Sequence, residues 1–168
     1  MAIFKRQRWL SAENVGSQPA NIHLLKSPYT RVTESDKPEA TSENDNNASF
    51  ELAKAAAQVI EDNNGRDICI LDMRHLTPIF DFFVIGTGGS RRQLHAMSEE
   101  IDDKLEKDLG DRRMGREGYD ESRWILLDYG TVVCHLFDEE TREYFQLEQL
   151  WADAKKIDLT GILRNPGE

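Results

Sequence analysis

The run DFFVIGTGGSRRQLHAMSEEI, Asp81 to Ile101, reads as a buried strand, a glycine-rich turn and the start of an amphipathic helix. Phosphate-binding loops are built in that order, so both the fold class and the question of catalysis turn on this stretch. A dinucleotide fingerprint needs three spaced glycines, the last giving clearance between helix and strand. Gly86 and Gly88 fill the first two positions, but Arg91 occupies the third. The other phosphate cradle, GxxxxGK followed by Ser or Thr, has no match in the chain. Gly88, Gly89, Ser90 and Arg91 nevertheless bring backbone N–H groups and a cation to a helix start, which makes them the candidate anion-binding residues. The competing reading is that the glycines only make a tight turn.

Nucleotidyltransferases use a Gly-Ser turn opening a helix, here Gly89-Ser90, followed by a strand with two alternating acidic residues. Those carboxylates hold two metal ions. The chain lacks them: Asp102 and Asp103 are adjacent on a helix, and the alternate partner of Asp128 is Leu126. Cys134 and His135 are strand neighbours and leave on opposite faces, so they form no dyad with each other. His75 with Asp72 makes too small a ligand set for a metal, and His95 reads as a surface residue of its helix. No catalytic residue, metal site or cofactor is therefore expected. The alternative is a nucleotide-binding or nucleotidyl-transferring enzyme using the loop from Gly86 to Arg92.

On either side of the loop, hydrophobic spacing sets the elements. Leu52, Ala53, Ala56, Val59 and Ile60 recur at helical spacing behind Ser49 as N-cap. DICILDMR (67–74) and the strand at 81–88 are joined by a short link containing Thr77-Pro78, so they should pair antiparallel. Leu94, Met97, Ile101, Leu105 and Leu109 form a second helical stripe, ended by Gly110. RRMGREG reads as a short edge strand, WILLDYGTVVCHLF as a hairpin turning at Tyr129-Gly130, and Glu140 to about Ile157 as a final helix. The predicted class is α/β of the α+β type: a mixed five-stranded sheet flanked by helices, nucleotidyltransferase-like without the catalytic carboxylates.

Composition divides the chain unevenly. Residues 1–48 are rich in Ser, Thr, Asn, Glu and Pro and read as a disordered extension, 49–159 as the domain and 160–168 as a flexible tail. The net charge of −10 falls wholly on residues 49–168, with 15 basic and 25 acidic side chains, since residues 1–48 sum to zero. Such a balance disfavours direct contact with RNA phosphates and suits a basic protein surface. Cys69 and Cys134 lie in apolar runs without zinc spacing, and no stretch has the roughly 20 apolar residues of a membrane span. The expected location is the bacterial cytoplasm, with an organelle matrix as the alternative.

Under a two-residue turn at Tyr129-Gly130, Asp128 faces Thr131, Leu126 faces Val133 and Trp124 faces His135. Ile125, Leu127, Val132, Cys134 and Leu136 then make an apolar face, and Trp124, Leu126, Asp128, Thr131, Val133, His135 and Phe137 a mixed one. At 100° per residue Tyr144, Leu147, Leu150, Trp151 and Ala154 form the core stripe of the last helix, and Phe145 falls outside it. Trp124, Asp128, His135 and Phe145 are the predicted partner-binding patch. Left without its partner, a patch this apolar could also pair two copies of the chain.

The same residues carry a resemblance. The strand ending in Thr-Gly-x-Ser (87–90), the Trp-(apolar)3-Asp-x-Gly hairpin (124–130), Val-x-His (133–135) and Leu-Glu-x-Leu-Trp (147–151) occur in the order of the ribosomal silencing factor, or Iojap-like, family. The likeness spans roughly residues 50–155. It implies a nucleotidyltransferase-like fold without transferase activity. It also implies binding to large-subunit ribosomal protein L-fourteen at the intersubunit surface, which blocks joining of the small subunit and lowers translation when nutrients are scarce. Phe145 stands where members usually carry tyrosine, and the N-terminal extension is longer than the bacterial leader.

Overall fold

Residues 43–164 are described by the computed structural model, and their elements assemble on one six-stranded sheet. In chain order they are α1 (Glu43–Asp62), β1 (Arg66–Asp72), β2 (Phe82–Thr87), α2 (Arg91–Asp102), a π-helical turn (Asp103–Asp108) and β3 (Gly115–Glu117). β4 (Trp124–Asp128), β5 (Val132–Phe137), α3 (Glu139–Phe145), α4 (Leu147–Leu150) and β6 (Lys155–Lys156) follow. The strand order is β3-β4-β5-β2-β1-β6, with β2 and β5 parallel at the centre and the other pairs antiparallel. The mixed α/β class is as expected. The sixth strand is new, because Lys155 and Lys156, read as the end of a helix, pair with Asp72 and Leu71.

α1 and α2 cover one face of the sheet. Ala53, Ala56, Ala57 and Ile60 of the first and Leu94, Met97, Ile101 and Leu105 of the second are buried against Ile70, Val84, Ile125, Leu127, Val132, Cys134 and Leu136. Here the glycine run finds its purpose. A Cβ at Gly86 would lie 2.7 Å from Ile60 Cγ2, and one at Gly88 would lie 2.8 Å from both Leu94 Cδ2 and Met97 Cε. These glycines let two helices ride close on the sheet.

Several expected details shift. α1 begins at Glu43, inside the stretch expected to be disordered, so Ser49 is an interior residue and not an N-cap. Its hydroxyl donates to Asp81 Oδ2 at 2.6 Å and ties the helix to the approach to β2. The hairpin turns at Gly130-Thr131: Tyr129 N–H donates to Val132 O at 2.9 Å, Asp128 pairs with Val133, Leu126 with His135 and Trp124 with Phe137. Gly130 has φ 85°, the sign that a type II′ turn requires at its first loop position. Moving the turn by one residue moves each strand partner by two, and an even shift leaves every side chain on its predicted face.

The π-helical turn changes the phase of the α2 stripe, so Leu105 is buried while Leu109 is 46% exposed. At the C-terminal end, Leu163 packs into the core and Arg164 pairs with Asp62, so residues 160–164 are held where a flexible tail was expected. Residues 1–42 and 165–168, the rest of the two expected flexible segments, lie outside the described residues.

The packing role of the loop has a direct consequence. Gly86→Ala should destabilise the protein by about 1–3 kcal/mol through overpacking against Ile60. Gly89→Ala should be nearly neutral, since its Cβ would meet nothing closer than Gln93 Oε1 at 3.6 Å. Urea midpoints at constant slope measure both.

Candidate protein-binding face

The second face of the sheet is read off the registers as three rows. Trp124, Phe137 and Thr87 form the first; Glu117, Leu126, His135 and Ile85 the second; Asp128, Val133, Phe83 and Leu71 the third. The chain from α3 to β6 crosses this face. Phe145 packs on Trp124, with ring centroids 4.9 Å apart, and Trp151 meets Phe83 edge-on at 5.8 Å.

The crossing segment is not the continuous helix that the periodicity suggests. Gln146 adopts a left-handed conformation (φ 44°, ψ 53°), closing α3 through its N–H to Arg142 O. Because the helical phase breaks there, the predicted stripe does not hold. Tyr144 is 68% exposed and Leu150 40%, while Phe145, expected to point away from the core, is half-buried against Trp124.

Arg142 holds this break. Its guanidinium donates to Glu148 Oε1 across the kink, to Thr87 Oγ1 at 3.2 Å and to the Asp67 carbonyl at 2.9 Å. Its side chain is only 11% exposed. No sequence motif singles it out, although an arginine six residues before a glutamate across a helix break is a pairing that a three-dimensional view would seek.

Trp124, His135 and Phe145 therefore come together as one cluster. The indole N–H donates to His135 Nδ1 at 3.3 Å, and the indole stacks on Phe137 with centroids 4.8 Å apart. His135 lies beneath this layer, 3% exposed, and supports the indole from inside the sheet. With Nδ1 accepting, its proton sits on Nε2, which has no hydrogen-bond partner among the described residues; the imidazole and Phe83 rings meet edge-on with centroids 4.9 Å apart. Burial, with the Arg142 cation adding to it, holds the imidazole far below its usual value, at about 3. Asp128 lies on the same face four residues along β4, half-buried, and accepts from Gly130 N–H at 2.7 Å.

The glycine loop is closed by its own hydrogen bonds. Gly88 N–H donates to Phe137 O at 2.8 Å and Gly89 N–H to Gln93 Oε1 at 2.7 Å. Ser90 Oγ accepts from Gln93 N–H at 3.2 Å and so caps the start of α2. Arg91 donates to the Glu121 carbonyl at 2.6 Å. The groove of about 680 Å³ in front of Gly88, Gly89, Ser90 and Arg91 is also lined by Asp138, Glu139, Glu140 and Glu143, and Arg123 on its wall is paired with Asp138 and Glu140. An anion would meet a wall of net negative charge.

The other candidates are structural. Burial pushes the Cys134 thiol up to about 12, which suits a core residue better than a nucleophile. His95, read as a surface residue, stacks on Tyr119 at 4.1 Å, with Nε2 2.9 Å from the Tyr119 carbonyl and 2.5 Å from Ser122 Oγ. Ser122 Oγ donates to that same carbonyl and is buried, so the pair clamps a loop onto α2. His75 bonds the Asp153 carbonyl and Asp72 bonds Arg74.

A family model described as "Ribosomal silencing factor during starvation" matches residues 45–167. The ribosomal silencing factor RsfS of Halalkalibacterium halodurans is 35% identical over 113 residues, covering 67% of this chain and 96% of that protein. The mouse protein named "Mitochondrial assembly of ribosomal large subunit protein 1" is 40% identical over 96 residues, covering 55% of this chain and 42% of its own length. A crystal structure of protein CV0518 from Chromobacterium violaceum superposes with a TM-score of 0.59 at 37% identity, covering 61% of this chain and 85% of that one.

The buried imidazole sets a pH dependence. Its folded-state value lies below the ordinary histidine value of about 6.5, so the unfolded chain takes up the proton first. Its contribution to stability is complete above about pH 6.5, declines as pH falls and levels off near 3. Between pH 7 and 4.5 the loss should be about 2–3 kcal/mol. Urea unfolding of His135→Leu should show a correspondingly flatter dependence across that interval.

Proposed function

We propose, from the premise that this chain belongs to the ribosomal silencing factor family, that it represses translation by binding a basic protein of the large ribosomal subunit and so blocking association with the small one. A ribosome-associated silencing role comes with the family. The partner and the block are the finer reading. The observation that carries it is the half-open aromatic cluster of Trp124 and Phe145 on a sheet face that also bears Asp128. An aromatic anchor beside a carboxylate fits a surface offering Arg or Lys.

The partner that the family resemblance implies is ribosomal protein L-fourteen, with repression exerted under nutrient limitation. The net charge of −10 supports a protein partner over direct contact with RNA. Trp124, Phe145 and Asp128 touch the partner, and His135 acts through Trp124. The function requires no bond making or breaking, and the hydrogen-bonded loop at Gly88 and Gly89 supports a non-enzymatic reading. Similarity to bacterial silencing factors supports the bacterial cytoplasm as the place of action.

Phe145→Ala and Asp128→Lys should each weaken co-sedimentation with purified large subunits, Phe145→Ala by at least about 30-fold, equivalent to roughly 2 kcal/mol at a central anchor. Both should restore joining of small subunits and remain folded, within about 2 kcal/mol of wild type. Wild-type sedimentation of these variants would remove the face from the account. Millimolar ATP, GTP or CTP with magnesium should leave the melting temperature unmoved. A ligand at 100 times its dissociation constant would add about 2.7 kcal/mol and be seen at once.

A further inference from the structure

Tyr144 falls on the predicted core stripe of the last helix, yet at 68% it is the most exposed large apolar side chain among the described residues. It is not loose. Its ring stands edge-on against Phe145, with centroids 5.1 Å apart and planes at 83°, and Phe145 in turn rests on Trp124. The helix that carries it is pinned from beneath by Arg142 through Glu148, Thr87 and Asp67. A large exposed aromatic already packed against a neighbouring ring is the composition of an interface anchor.

The charge around it is mainly negative. α3 exposes Glu139, Glu140 and Glu143, and its sole cation, Arg142, is turned inward onto Glu148. Glu140 precedes Tyr144 by four residues and so shares its side of the helix. Two nearby surface cations are already paired, Arg123 with Asp138 and Glu140 and Arg66 with Glu139, while Glu143 has no ion pair among the described residues. An exposed phenol ring among carboxylates complements a guanidinium, whose flat face stacks on the ring while its N–H groups reach an acid.

We infer that Tyr144 is a second anchor of the docking face, on which an arginine of the basic large-subunit protein stacks beside Glu140 and Glu143. The inference rests on the docking function proposed above and extends it from the sheet to α3. It makes the recognised surface a continuous aromatic run from Trp124 through Phe145 to Tyr144.

Equilibrium binding of the full chain to purified large subunits, with melting temperatures measured alongside, provides the test. Tyr144→Ala should bind about 10-fold more weakly with an unchanged melting temperature, and Tyr144→Phe should bind within about twofold of wild type, since the ring and not the hydroxyl makes the contact. Glu143→Lys should also weaken binding by repelling the arginine. If Phe145→Ala loses binding while Tyr144→Ala keeps it, the docking function stands and the second anchor is wrong. If Tyr144→Phe falls as far as Tyr144→Ala, stacking is not the contact and the inference is overturned. If wild-type protein fails to bind large subunits at all, the docking function itself falls and the anchor with it.

Discussion

The arrangement of the aromatic face depends on Arg142. One nearly buried guanidinium joins the two sides of the break at Gln146 through Glu148, reaches β2 through Thr87 and donates to the Asp67 carbonyl in the bulged start of β1. A left-handed glutamine is an unfavourable place to interrupt a helix, and the ion pair across the break offsets that cost. Without it the segment from 139 to 154 has the periodicity of one straight helix. With it the helix ends at Phe145, that ring drops onto Trp124, Tyr144 turns outward and Trp151 reaches Phe83. Removing either partner would leave a charge short of compensation in a poorly solvated place, so the pair specifies geometry more than it adds stability.

Much of the fold is legible in the sequence because most of it follows local periodicity. The pairing of β1 with β2, the edge position of β3 and the two faces of the hairpin follow from apolar alternation and turn residues. The faces survive even though the turn lies one residue further on than expected, since strand side chains repeat every two residues. What fails does so where a tertiary contact overrides the local pattern. Ser49 is drawn into α1 by Asp81, a π-helical turn carries Leu109 into solvent, and Arg142 with Glu148 divides the last helix. Counting at 100° per residue cannot see a phase break. The candidate site is therefore half legible: Trp124 and Phe145 do come together on one face, Tyr144 and Phe145 exchange their expected environments, and His135 lies beneath the surface it was expected to share.

The glycine loop shows how a motif familiar from phosphate sites can serve packing. Gly86 and Gly88 are required by Ile60, Leu94 and Met97, and the amide hydrogens at Gly88 and Gly89 are engaged by Phe137 and Gln93. The same strand–turn–helix order that would cradle a phosphate here seats two helices on a sheet. On the opposite face, a segment broken at one residue leaves aromatic rings half-covered.

Hydroxyl-radical footprinting of the chain, alone and bound to purified large subunits, tests the central claim most directly because it reads the solvent exposure of individual side chains. The account predicts that oxidation of Trp124, Tyr144 and Phe145 falls together on binding, while exposed Met114 and the residues around Arg91 react as before. Protection confined to the groove at Arg91 and Glu143, with Trp124, Tyr144 and Phe145 still oxidised at the unbound rate, would contradict it.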